Sequence, residues 1–157
     1  MEELLRQKVF ETIDDVFGVL FSITSRPLDD FPLRKLNDPE EKYLEVRIDV
    51  SRGERFPAYF FFPEKLALGV AQNFMGIEAT GLGDEKIKDV VSEAVRMTVG
   101  GLLGKIDPSA RCSVGKPMAR RLDGFSPGYL HGAPGTCVYG TEFGCLWMDL
   151  SNMDKCC

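Results

Sequence analysis

The chain has 157 residues, 44% of them hydrophobic and 27% charged, which is the length of one domain and the composition of a globular protein with one core. A formal net charge of −5, with no basic cluster beyond pairs such as Arg120 and Arg121, argues against nucleic-acid binding. The start, Met1 to Gln7, is acidic, and the apolar run Val16 to Leu20 with Phe21 is far short of the roughly 20 residues that span a bilayer, so no membrane insertion or secretion is indicated and a cytoplasmic location is expected.

Leu5, Val9, Ile13, Val16, Phe17 and Leu20 keep a helical period from the N-terminus to about Ser22. Ser25 to Glu41 reads as an irregular connection. Leu44, Val46, Ile48 and Val50 alternate with Tyr43, Glu45, Arg47 and Asp49, which predicts a strand over 43–50. Gly53 separates it from the aromatic run Arg55 to Phe62, so a hairpin is expected, and Pro57 argues for an edge or bulge position in its second strand. Pro63 sits at a helix start, Leu66, Ala67, Val70, Ala71 and Phe74 share one face, and Gly76 supplies a stop. A long helix then opens after Gly81 and Gly83, with Asp84 as candidate N-cap, and closes before Pro108. Strands are expected at about Cys112 to Leu122, Thr136 to Thr141 and Cys145 to Leu150, with a glycine-rich loop from Asp123 to Gly135. This order, without repeated βαβ units, favours an α+β two-layer sandwich with helices packed on one face of a mostly antiparallel sheet.

Five cysteines, Cys112, Cys137, Cys145, Cys156 and Cys157, form an odd set without a C-x-x-C pair, so neither a disulfide framework nor a zinc site is suggested and reduced thiols are expected. Cys156 and Cys157 do not belong to a C-a-a-X box, and the chain from about 151 reads as a frayed tail. His131 is the only histidine, which leaves no histidine metal cluster, and it reads as an ordinary loop residue. Gly100, Gly101, Gly104 and Lys105 fail the phosphate-loop pattern, since Val99 and Ile106 stand where Gly and Ser or Thr are required. The pairs Asp14 with Asp15 and Asp29 with Asp30 lack further ligands and read as solvated charge.

Between Asp89 and Gly101 two helical faces separate. Ile87, Val90, Val91, Ala94, Thr98, Gly101 and Leu102 form one apolar stripe, and Gly101 is expected to seat the helix closely on a sheet. Asp89, Ser92, Glu93, Arg96 and Gly100 fall on the other side. Each glycine inside a helix costs about 1 kcal/mol against alanine, and at Gly100 the missing side chain lets a partner approach beside Glu93 and Arg96.

These residues resemble the CheC/CheX/FliY chemotaxis phosphatases, whose signature helix reads Asp or Ser, three residues, Glu, two residues, Asn, then a nearby Gly. Asp89, Glu93 and Gly100 match the pattern, and Arg96 stands where the family has its catalytic Asn. The order of predicted elements is also that of CheX, so the resemblance covers most of the chain, taken as a single domain over 1–157. It implies a phosphatase acting on the aspartyl phosphate of a CheY-like response regulator, with catalytic positions at Glu93 and Arg96 and partner contacts at Asp89, Ser92 and Gly100. It implies no metal or cofactor in this chain, because the regulator carries its own Mg, and, together with the edge signal of Pro57, a homodimer joined through sheet edges. A guanidinium has donors and no acceptor, whereas an amide can also accept from a water, so Arg96 is expected to weaken catalysis. It could contact the phosphoryl oxygens as an arginine finger does, or fold back on Glu93. A noncatalytic regulator-binding module, or a ligand sensor using the loop at 123–135, are the alternatives.

Overall fold

A computed structural model describes residues 2–29, 32, 40–76 and 81–157. Asp30 and most of the connection up to Glu41 lie outside the described residues. Helix α1 (Glu3–Ile13) runs into a π-helical stretch, Asp14–Leu20, and is followed by strand β1 (Ser25–Pro27). The hairpin of β2 (Tyr43–Arg52) and β3 (Glu54–Pro63) leads into helices α2 (Glu64–Met75) and α3 (Asp84–Ile106). Strands β4 (Ser113–Val114) and β5 (Met118–Leu122), a 3-10 turn at Pro127–Leu130, strands β6 (Thr136–Thr141) and β7 (Gly144–Asp149), and a closing 3-10 turn at Met153–Cys156 complete the order.

All strand pairs are antiparallel, in the sequence β1-β6-β7-β3-β2, with β4 and β5 both paired along the outer side of β2. The alternating residues Leu44, Val46, Ile48 and Val50 face the helices and join the main core with Val91, Ala94, Val95 and Val99 of α3. Helices therefore cover one face of an antiparallel sheet, as the patterning predicts. The opposite face is not bare. Tyr43, Phe61, Val138 and Trp147 form a second cluster there with Leu28 and Leu130, and Phe125 stacks on Phe61 at 4.7 Å. The glycine-rich loop is thus an aromatic cover for the second face, anchored through its 3-10 turn.

Several expectations change at this level. The connection after Ser25 contains a strand, because Ser25–Pro27 pairs with Thr141–Tyr139. Pro57 lies on β3, which is an interior strand, not an edge. The β3–β7 ladder begins only at Tyr59, so the proline's missing N–H falls outside that ladder. The strand expected at 112–122 is broken into β4 and β5 around Gly115, whose N–H donates to Asp49 O at 2.7 Å. Leu20 shares the helical period of Leu5, Val9, Ile13, Val16 and Phe17, yet it is 54% exposed while they are buried. The wider π turn shifts the phase of the helix at its end, so Val16 and Phe17 stay inside while Val19 and Leu20 turn out.

The thiols and the tail also differ from expectation. Cys112 and Cys156 form a disulfide. A spacing of 44 residues carries no recognisable motif, and only the docking of the C-terminal turn brings the two together. That turn is not frayed: Met153 and Cys156 are buried in the main core. Arg52 donates to Lys155 O at 3.1 Å, and the Lys155 ammonium lies 5.3 Å from the Phe56 ring centroid.

Candidate functional site on helix α3

Helix α3 packs against both α1 and α2. Its start is fixed by tertiary ion pairs. Arg121 of β5 donates to Asp84 and lies 3.3 Å from Glu64 at the beginning of α2. Gly83, not Asp84, occupies the cap position, without a side-chain cap bond. The Asp84 carboxylate is drawn to Arg121, whose hydrogen bond holds its carboxyl below the usual aspartate range against the opposing effect of burial. At the other end, Lys8 of α1 donates to Lys105 O at 3.0 Å, and Lys105 meets Asp15 at 3.1 Å. Gly101 seats α3 on α1 and not on the sheet, since a Cβ there would come within 3.3 Å of Thr12 Cγ2.

With its position fixed, the helix buries Val90, Val91, Ala94 and Thr98, the hydroxyl of Thr98 being satisfied by Ala94 O at 2.7 Å. Asp89, Arg96 and Gly100 are exposed, and Ser92 is partly buried. The side chain of Glu93 remains 43% exposed and that of Arg96 55%. Val90, Val91, Ala94, Thr98 and Leu102 lie on the buried face as the period predicts, whereas Ile87 is only partly buried and Gly101 is exposed beside Thr12.

Glu93 and Arg96 are brought together in a two-pronged pair: Arg96 Nε donates to Glu93 Oε2 at 3.0 Å, and Nη2 donates to Oε1. The hydrogen bond to Arg96 holds the Glu93 carboxyl below the usual glutamate range, with burial acting in the opposite direction. Glu93 raises Arg96 reciprocally. Of the roles open to Arg96, folding back on its i−3 neighbour is the one adopted. Both carboxylate oxygens accept from the guanidinium, so any incoming donor must compete with it. One turn beyond lies bare backbone, since a Cβ at Gly100 or Gly104 would meet nothing within 4 Å. Asp89, Ser92 and Gly100 flank the pair without entering it.

The remaining reactive groups offer little nucleophilic chemistry. Burial pushes the Cys137 thiol up to about 12, and burial also raises Cys145 and Cys157. Among the described residues no group of three or more His, Cys, Asp or Glu is placed to hold a metal ion, and no helix is long and apolar enough to cross a membrane.

No family model and no curated protein sequence matches the chain. Solved structures do match it in fold. CheX from Vibrio vulnificus aligns with a TM-score of 0.68 and 19% identity, over 92% of this chain and 93% of that one. A chemotaxis protein CheX from Desulfovibrio desulfuricans aligns at 0.67 and 14% identity, over 92% and 96%. A complex of CheX with CheY, BeF3 and Mg2+ from Borrelia burgdorferi aligns at 0.61 and 11% identity, over 92% and 94%. CheC-like and FliY proteins share the architecture. The α+β fold expected from the order of elements is thus the fold of the CheX, CheC-like and FliY chemotaxis proteins.

Proposed function

We propose that this chain is a CheX-like protein of chemotaxis or two-component signalling that docks a phosphorylated CheY-like regulator on the outer face of α3 and hydrolyses its aspartyl phosphate slowly. The observation that carries the reading is the Glu93–Arg96 pair, exposed on that face at the positions of the family's acid and amide. The fold likeness to a CheX solved with CheY supports the choice of partner.

In this reading the regulator brings the aspartyl phosphate, its Mg and its lysine, and this chain completes the site without a cofactor. Glu93 receives the regulator's lysine once Arg96 is displaced. Gly100 gives the partner access to the backbone, and Asp89 and Ser92 border the contact. Arg96 cannot accept a hydrogen bond from the attacking water, so the positioning that an amide would supply is lost. One well-placed orienting group is worth on the order of a hundredfold in rate, roughly 2.7 kcal/mol.

Phosphate release from a phosphorylated regulator, measured with wild type, Arg96→Asn and Glu93→Ala, tests this. Slow turnover by wild type, faster turnover by Arg96→Asn and loss with Glu93→Ala are expected. Rapid turnover by wild type that Arg96→Asn slows would make Arg96 itself catalytic and overturn the assigned effect of the substitution. The closed pair also suits a module that binds without turnover, which binding with no rate change in all three proteins would select.

A homodimer through sheet edges belongs to the same reading, although Pro57 no longer supports it. Light scattering that gives a monomer at micromolar concentration would remove it.

A further inference from the structure

The loop that follows α3 and the end of the chain are joined by the Cys112–Cys156 bridge, and the residues around the bridge hold its two ends very differently. Asp107, directly after α3, has a side chain only 1% exposed. Its Oδ2 accepts from Cys112 N at 2.6 Å and its Oδ1 from Arg111 Nε at 3.4 Å, while Asp107 N donates to Leu103 O at 2.8 Å. Within this turn Ala110 stands at φ +53°, in the left-handed region that a residue with a Cβ rarely enters. Cys112 is therefore held in place by its backbone whether or not its sulfur is bonded. The C-terminal turn has weaker holds of its own. Lys155 and Glu54 pair at 3.4 Å with both side chains well exposed, Arg52 donates to Lys155 O, and Asn152 Nδ2 donates to Pro57 O at 3.4 Å. Burial of Met153 and Cys156 adds to these, but a four-residue turn at a chain end frays unless it is tied down.

Access to the bridge is equally one-sided. Cys156 is fully buried in the main core, whereas Cys112 is only partly buried at the surface of that core. A thiolate from solvent approaches at Cys112, with Cys156 as the leaving group. The other thiols set this bridge apart from a permanent staple. Cys137, Cys145 and Cys157 are unpaired, and Cys157 is exposed one residue from the bridge. Folds built on permanent bridges pair their cysteines throughout, and an approachable bridge among free thiols is of the reducible kind.

We propose that Cys112–Cys156 is a reversible thiol switch, opened by a small thiol reductant and closed by the corresponding disulfide, that releases and redocks the C-terminal turn while the docking face of α3 stays as it is. In opening, a thiolate attacks Cys112 Sγ, the Cys112–Cys156 bond breaks, and Cys156 leaves as a thiolate that takes up a proton. A second thiolate attacks the sulfur now bound to Cys112 and frees Cys112, which is protonated in turn. The bridge thus gains two electrons and two protons, and two reductant thiols become one disulfide. Closing is the reverse, with that disulfide as oxidant.

The probes are reduced and oxidised glutathione. The intact protein is equilibrated in mixtures of graded ratio, starting from the bridged and from the open form, then alkylated and read by mass spectrometry, with hydrogen exchange followed in parallel. The bridge is expected to open in millimolar reduced glutathione without denaturant and to show the same midpoint from both directions. Opening should lower the exchange protection of residues 150–157 about tenfold or more and leave that of residues 87–99 unchanged. Cys156→Ala should show the exchange of the open form in every mixture, and Cys157→Ser should keep the midpoint of wild type. A bridge that stays closed in reduced glutathione and opens only in urea would be a permanent staple and would overturn the proposal. So would five free thiols in oxidised glutathione, or an open bridge with residues 150–157 still protected. Loss of protection across α3 as well would show global loosening in place of a local switch, and would overturn it too. No readout here involves a regulator or phosphate release, so the switch and the proposed function fail separately.

Discussion

The outer face of α3 and the cleft of about 590 Å3 between the first turns of α1 and β6 both carry charged groups on apolar supports, and they differ in how those groups are paired. On α3 the two central groups satisfy each other, Glu93 being held by two donors of Arg96. In the cleft Arg6 and Asp29 also pair, more loosely, at 3.4 Å, and Asp29 Oδ1 in addition accepts from Val138 N at 3.2 Å. A close pair on an exposed helix face admits a partner only by exchanging one pairing for another, whereas an ion that also accepts from the backbone helps to hold a strand edge in place.

The sharpest way to break this contrast is in the loop that leads into β6 beside the cleft. Gly135 has φ +77°, and a Cβ there would fall 2.3 Å from Ser151 Cα. Gly135→Ala is expected to lose about 3–5 kcal/mol by urea unfolding, from left-handed strain and overpacking together, and to disturb the cleft while leaving α3 intact. Next in size is the disulfide. Reduction, or Cys112→Ser, opens a loop of 44 residues and should lower stability by about 2–4 kcal/mol, seen as a fall in melting temperature, with the Glu93–Arg96 pair unchanged. If reduction instead altered regulator binding, the docking face would have to be coupled to the tail.

Arg96→Asn comes third, an on-order hundredfold rise in phosphate release at little cost in stability. The smallest effect concerns the pair itself. A double-mutant cycle on Glu93 and Arg96 should give only a small coupling, because both side chains are largely exposed and screened. The folded-state pKa of Glu93 is depressed, so this contribution is fully present above the ordinary glutamate pKa and is lost as pH falls through the lowered value. The pair therefore stays closed throughout the neutral range. A cycle energy that vanished between pH 8 and 6 would show that the pair is not what holds Glu93.

Much of the α3 face was legible because it depends on period alone. The same is true of β2, whose alternating residues fix the sheet face, and of β6, which runs from Thr136 to Thr141 as its composition predicts. What escaped has a common cause. Leu20 is turned outward by a change of helical pitch that leaves no mark in residue type. The Cys112–Cys156 bond and the buried Met153 depend on where the tail docks. The cleft draws Arg6, Asp29 and the β6–β7 hairpin residues Tyr139 and Trp147 from three stretches far apart in sequence. Arg96 lies between these cases: its conflict with the amide position was readable from identity, but which of its options it adopts required coordinates.

The topology of the sheet carries a consequence for biosynthesis. The interior strand β3 waits for β7, which pairs Tyr59 with Asp149, and β1 waits for β6, which pairs Ser25 with Thr141. On the ribosome the β2–β3 hairpin and the three helices therefore emerge with a long interior edge of the sheet unprotected, and only the last few dozen residues close it. Pairings this distant in sequence slow folding and expose strand edges to neighbouring nascent chains. A release of the chain before β7 is complete would leave β3 as a template for aggregation, which makes the C-terminal fifth of the chain its folding checkpoint.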